Sequence, residues 1–152
     1  MDKLINKILH LFFEQITVFG GVVFYLFIIF LSFSFKSYNF GTYLIFSLIL
    51  VMMFGILIKI LYFKERPKKQ QYSNILEKID AGSFPSIHTM RITSLVFWFV
   101  FFFRNSISSF IVIGVALLVA FSRIFLKKHY FSDVFFGVVF AVIINFILKW
   151  YI

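Results

Sequence analysis

The sequence predicts an all-α, integral-membrane helical bundle of about five transmembrane helices, preceded by an N-terminal interfacial amphipathic helix. Three observations carry this expectation. The 152-residue chain is 62% hydrophobic and 14% charged, whereas a soluble domain is roughly 45–50% apolar and about 25% charged. It contains 26 phenylalanines, more than the core of a soluble protein of this size can hold. Its charges fall in short segments that separate apolar stretches, several of them near the ~20 residues a spanning helix needs. The same composition excludes disorder, which requires low hydrophobicity and high charge. With no cysteine in the sequence, disulfides and thiolate chemistry are excluded. A net charge of +9 in so apolar a chain points to a basic membrane face or an anionic head group rather than to nucleic acid. The length suits one domain, residues 1–152.

The elements follow in order. In residues 1–14, Leu4, Ile5, Ile8, Leu11 and Phe12 recur with the spacing of one helical face, and Asp2, Lys3, Asn6, Lys7, His10 and Glu14 fill the rest. That pattern predicts a helix lying along the interface. A cleaved signal peptide fits poorly, because the apolar run that follows is too long and no small-residue cleavage site closes it. Gln15–Phe35 and Ser37–Ile58 contain no charge and predict spans at 16–36 and 41–63. Pro67 can end the second, since proline donates no hydrogen bond and clashes with the preceding turn. Further apolar stretches predict spans at 86–103, 107–126 and 132–151, of which 86–103 is short and opened by polar residues. The 64–84 segment is the one long connection, and Ile75, Leu76 and Ile79 could give it a short amphipathic helix.

With five spans, the N-terminus, the 64–84 loop and the 127–131 loop share one membrane face. That face carries 12 of the 15 Lys and Arg residues, leaving Lys36, Arg104 and Lys149 for the other. The positive-inside rule would place the rich face in the cytoplasm.

Three polar clusters interrupt the apolar pattern: Lys59 to Pro67, Pro85 to Thr89, and Ser122 to Asp133. Alternating helix direction brings all three to the same face, and ionisable groups at membrane depth are costly enough to mark function. Lys59, Arg66 and Arg123 would repel one another unless an anion with several oxygens sat between them, and phosphate accepts such donors well. Ser86, after Pro85, stands where a helix N-cap belongs, which would aim the first amides of that helix at the same anion. His129 and Asp133, four residues apart, can meet on a helix or turn. The carboxylate would then fix the ring tautomer and leave the other nitrogen free to attack. His88, from another helix, can protonate a leaving oxygen. One histidine neutral and the other protonated would give a bell-shaped pH profile.

These residues resemble the three signature motifs of the type-2 phosphatidic acid phosphatase superfamily, membrane lipid phosphatases related to vanadium haloperoxidases. The motifs are Lys59-x6-Arg66-Pro67, Pro85-Ser86-x-His88 and Ser122-Arg123-x5-His129-x3-Asp133, in the family's order and spacing. Motifs and intervening helices cover roughly residues 41–151; the first 40 carry no signature. The resemblance implies His129 as the nucleophile forming a phosphohistidine, Asp133 as its support and His88 as proton donor. It implies Lys59, Arg66, Ser86 and Arg123, with the amide of Ile87, as ligands of the phosphoryl oxygens, and no metal or cofactor. One position departs: Ile87 stands where the family usually has glycine. An amide can still donate from isoleucine, and only a left-handed backbone would demand glycine.

The implied function is hydrolysis of a lipid phosphate or diphosphate: phosphatidic acid, phosphatidylglycerophosphate, or a polyprenyl phosphate or diphosphate. Its partners would be the phosphorylated lipid and the bilayer, with no nucleic acid. Two alternatives stand beside it. One is a lipid phosphotransferase using an alcohol acceptor, which Ile87 keeps open; the other is a non-enzymatic anion-binding helical membrane protein. Lys68 and Lys69, together with Lys64, Lys127 and Lys128 at unspecified positions within the motifs, read as solvated or touching anionic lipid. Arg91 reaches either the pocket rim or a head group. The glycines at 20, 21, 55, 114 and 137 read as sites of close helix packing.

Overall fold

A computed structural model describes residues 2–151. Its elements are α1 (Asp2–Ile16), a 3₁₀ turn (Thr17–Gly20), α2 (Val22–Ser34), α3 (Tyr38–Leu61), α4 (Ile75–Ala81), α5 (Ile87–Phe103), α6 (Ser106–Phe125) and α7 (Phe131–Tyr151), with no strand among the described residues. The all-α membrane bundle is therefore the observed architecture.

The number of full crossings differs from the expected five. Helices α3, α6 and α7 are each long and apolar enough to cross a membrane, whereas α1 with its 3₁₀ turn and α2 reach that length only together, as a pair bent by 48°. The span expected at 16–36 is thus divided at Gly20-Gly21. Its helical part, α2, has 13 residues, about 20 Å at 1.5 Å per residue, against a hydrocarbon core of ~30 Å. Helix α5, with 17 residues, is also short, and it starts among buried polar residues, Ser86 and Thr89. It sits at the centre of the bundle, packed against α2, α3, α6, α7 and the 3₁₀ turn.

The interior of the bundle combines aromatic packing with one polar node. Tyr25, Phe40, Leu44, Leu95, Trp98 and Leu148 form one buried cluster, and Val51, Met90 and Ala141 another. Asn145 on α7 is fully buried. Its carbonyl accepts from Ser47 Oγ at 2.5 Å and Trp98 Nε1 at 2.6 Å, and its amide donates to Ser94 Oγ and the Ala141 carbonyl, both at 2.7 Å. With no water at that depth, a polar group must find protein partners, and this one ties α3, α5 and α7 together.

The N-terminal helix forms as expected. Leu4, Ile5, Ile8, Leu11 and Phe12 are all exposed, a face suited to lipid, while Phe13 is buried against Phe121 and Phe125 of α6. In the long connection, Asn74 accepts from the Glu77 amide at 2.8 Å while Glu77 accepts from the Ser73 amide at 2.7 Å. This reciprocal cap starts α4. Gly20, Gly55 and Gly137 are sites of close packing, since an added Cβ would lie 2.9, 2.9 and 3.0 Å from neighbouring atoms; Gly114 is not, having nothing within 4 Å.

Candidate active site

The end of α3, α4, the start of α5, the end of α6 and the turn into α7 meet around a cavity of about 510 Å³. Its polar wall carries Lys59, Arg66, Arg123, His88 and His129, five of the expected residues; Arg91, Lys128 and Asp80 complete it. The apolar wall includes Met52 and Ile56 on α3 and Leu76 and Ile79 on α4. A head group and the beginning of a tail thus find matching surfaces. A separate apolar groove of about 520 Å³ lies between α2, α5 and α6 and is lined by no titratable side chain.

The cations are built in from different elements. Lys59, in the last turn of α3, and Arg123, near the end of α6, are buried. Arg123 Nη1 donates to Thr17 Oγ1 of the 3₁₀ turn at 2.8 Å. Arg66 Nη2 donates to the Asp80 carbonyl at 2.5 Å and Nη1 to Gln70 Oε1 at 2.6 Å. The Nε–H groups of both arginines are buried with no protein partner. Unpaired buried donors are rare, and both belong to arginines that line the cavity beside Lys59, a concentration of cationic donors suited to an oxyanion.

His129 is held by the way α6 ends. Lys127 takes a left-handed backbone, φ 54°, and the Lys128 and His129 amides then both donate to the Arg123 carbonyl, at 3.0 and 3.1 Å. This turn satisfies an end carbonyl of α6 and drops the imidazole, 3% exposed, into the cavity wall. Its Nδ1 lies 2.6 Å from the Ser83 carbonyl. A carbonyl can only accept, so Nδ1 carries the proton and Nε2 keeps its lone pair. Burial, with the guanidinium groups of Arg123 and Arg66, holds this ring well below the usual imidazole range. His129 is therefore neutral at pH 7.

Asp133 was expected to accept directly from His129. The structure places its carboxylate 3.9 Å from Nδ1, too far for a hydrogen bond, and the Ser83 carbonyl takes that contact instead. Asp133 is fully buried and otherwise engaged: Lys64 Nζ lies at 2.5 Å, the Tyr130 amide donates at 2.9 Å, and the Ser83 hydroxyl also donates to it. Ser83 thus touches both residues. Lys64, read from sequence as a solvated lysine, is corrected: it pairs with Asp133 and donates to Ser132 Oγ at 3.0 Å. Nothing in the spacing distinguishes Lys64 or Ser83 from other loop residues.

His88 lies in the first turn of α5. Ser86 is the N-cap residue, but its side chain caps no amide; it accepts from Thr89 Oγ1 at 3.0 Å and is fully buried. It is not part of the cavity wall, whereas the Ile87 side chain is. Ile87 begins the helix with no positive φ. Gly55 on α3 makes room for it, since a Cβ there would lie 2.9 Å from Ile87 Cγ1. Arg91, which the sequence left between rim and head group, is buried on the cavity wall.

Comparison with known proteins agrees with this geometry. Residues 40–152 match the model of the PAP2 superfamily. The crystal structure of Aquifex aeolicus LpxE superposes with a TM-score of 0.79 at 24% identity, covering 97% of this chain and 92% of that one, which shows a shared fold. No curated protein is significantly similar in sequence. The matched region contains all three motifs and every motif residue on the cavity wall, and the chain belongs to the PAP2 superfamily as an integral-membrane lipid phosphatase, a phosphoric ester hydrolase.

Proposed function

We propose that this single-domain protein hydrolyses a phosphorylated lipid through a covalent phosphohistidine on His129. The carrying observation is the pairing of an imidazole whose Nε2 is unprotonated with two buried guanidinium groups that each leave an Nε–H without a protein partner. The phosphoryl group would lie among Lys59, Arg66 and Arg123, its ester oxygen toward His88 and its tail along Met52 and Ile56. His129 Nε2 attacks phosphorus and the lipid alcohol, or a phosphate in the case of a diphosphate, departs with a proton from His88. Water then hydrolyses the P–N bond. The three cations neutralise the charge on the equatorial oxygens, which supplies most of the catalysis in phosphoryl transfer. Asp133 and Ser83 hold His129 in place, and the first amides of α5, Ile87 included, add donors at the helix N-terminus.

The substrate class is a lipid monophosphate or diphosphate: phosphatidic acid, phosphatidylglycerophosphate, or a polyprenyl phosphate or diphosphate. The test is phosphate release by purified protein in detergent from a panel of these lipids. Release from at least one, lost in His129→Ala, is the expected result. A new phospholipid formed in the presence of an alcohol, without free phosphate, would make the protein a transferase. No phosphate release from any lipid of the panel would overturn the proposed substrate class.

A further inference from the structure

We propose that Arg91 is the positioning residue for His88: its guanidinium, tied to the backbone of the N-terminal 3₁₀ turn, fixes the ring as the neutral tautomer with its proton on Nε2. This rests on reading His88 as the group that faces the leaving oxygen. Arg91 belongs to none of the three motifs, and the turn that holds it lies outside the family-matched residues 40–152.

Three contacts define the arrangement. Arg91 Nη2 lies 3.2 Å from His88 Nδ1, its Nε donates to the Gly20 carbonyl at 2.9 Å, and Nη1 lies 3.5 Å from Met52 Sδ. Guanidinium has donors only, so His88 Nδ1 must be the acceptor and the proton must sit on Nε2. A doubly protonated ring would set N–H against N–H. Gly20 is packed tightly enough to act as a fixed anchor: a Cβ there would lie 2.9 Å from Val119 Cγ1 and 3.1 Å from the His88 carbonyl. The charged groups that share the cavity wall with the His88 ring are Arg91 on its own helix, Lys59 on α3, Arg123 on α6, and Arg66, Lys128 and His129 on the loops. Against these cations the wall holds one carboxylate, Asp80 on α4, and the ring's Nδ1 faces Arg91.

The consequence is a reaction in which both rings start neutral. As His129 Nε2 forms the P–N bond, the P–O bond breaks, its electron pair goes to the leaving oxygen, and that oxygen takes the proton from His88 Nε2. The ring gains negative charge, which Arg91 stabilises at Nδ1. In the second half, His88 Nε2 takes a proton from water, the hydroxide oxygen attacks phosphorus, and the P–N electron pair returns to His129. His88 ends as it began. The alkaline limb that a protonated His88 would impose on the pH profile is absent.

The test combines a tautomer measurement with a mutant cycle. Nitrogen NMR on ¹⁵N-histidine-labelled wild type in detergent, assigned with His88→Ala, should show the His88 signals of a protonated Nε2 and an unprotonated Nδ1 at neutral pH. This readout needs no turnover, so it stands even if the panel of lipid phosphates yields none. For activity, Arg91→Met should lower turnover of phosphatidic acid about 10–100-fold, as for loss of a hydrogen bond to a charged group. It should lower turnover of p-nitrophenyl phosphate, whose leaving group needs little protonation, less than about threefold. Arg91→Lys should restore part of the loss. In the His88→Ala background, Arg91→Met should cost nothing further on phosphatidic acid, because the two act as a unit. An Nδ1-protonated or doubly protonated His88 in the wild type would overturn the proposal. So would an equal loss on both substrates that persists without His88, which is the signature of a fourth phosphate ligand.

Discussion

The two imidazoles of the site sit in opposite company. His129 is in a loop, and its Nδ1 faces a carbonyl with a buried carboxylate behind it; His88 is in a helix, and its Nδ1 faces a guanidinium. An acceptor at Nδ1 leaves a lone pair at Nε2, and a donor at Nδ1 leaves a proton there. In the mechanism proposed, one fold thus prepares a nucleophile and a proton donor from the same side chain by reversing the polarity of a single neighbour. Each partner is fixed in turn by something remote in sequence: Ser83 by its backbone bond to Lys64 at 2.7 Å, and Arg91 by Gly20.

Breaking the two sides should have unequal effects. His129→Ala removes the only proposed nucleophile and should abolish phosphate release, read directly as free phosphate from a lipid substrate. His88→Ala comes next, with a loss of about 10²–10⁴-fold on alkyl esters; on p-nitrophenyl phosphate the first burst of p-nitrophenol should survive while steady turnover falls, because water attack still lacks its base. Arg123→Ala should cost about 10²–10³-fold on both substrates alike, because the role proposed for it is to grip phosphoryl oxygens rather than the leaving group. Lys64→Met leaves Asp133 with one donor fewer and should cost about 10–100-fold, with p-nitrophenyl phosphate and lipid equally affected, since it acts on the His129 side.

The pH profile sharpens the same contrast. Because the His129 pKa is lowered by burial and by Arg123 and Arg66, the ring stays neutral as pH falls through the ordinary imidazole value of ~6.5. The acid limb of kcat/KM should therefore lie below that value. Stability has the same sign: below ~6.5 the unfolded chain binds a proton that the native ring does not, so the protein loses stability as acid is added. An acid limb centred near 6.5 would mean that the ring titrates as if exposed.

Much of this was legible in the sequence because the signals were dense and local. Charge-free stretches marked the helices, and spacing tied Lys59 to Arg66 and Arg123 to His129. The structure brings those residues to one cavity. What the sequence hid depends on contacts between remote residues. Ser86 stands at the cap position, but its side chain is turned away from the cavity toward Thr89. Lys64 looks like any loop lysine until the chain folds it onto Asp133, 69 residues away. Arg91 sits three residues after His88, a helical spacing that allows contact without requiring it; its anchor at Gly20, 71 residues earlier, decides the matter. The bend at Gly20-Gly21 was invisible because the run of apolar residues continues straight through it. Ile87 was recognised as a departure from the family pattern, but the space it needs comes from Gly55 on another helix.

The central claim is covalent attack by His129, and the most direct test uses His88→Ala with p-nitrophenyl phosphate. That substrate allows the first step without a proton donor, while loss of His88 removes the base that activates water in the second. A phosphorylated enzyme should accumulate, and mass spectrometry of rapidly quenched protein should place one acid-labile, base-stable phosphoryl group on His129. Steady p-nitrophenol release with no phosphoryl group on that residue, and no loss of turnover in His129→Ala, would contradict the account.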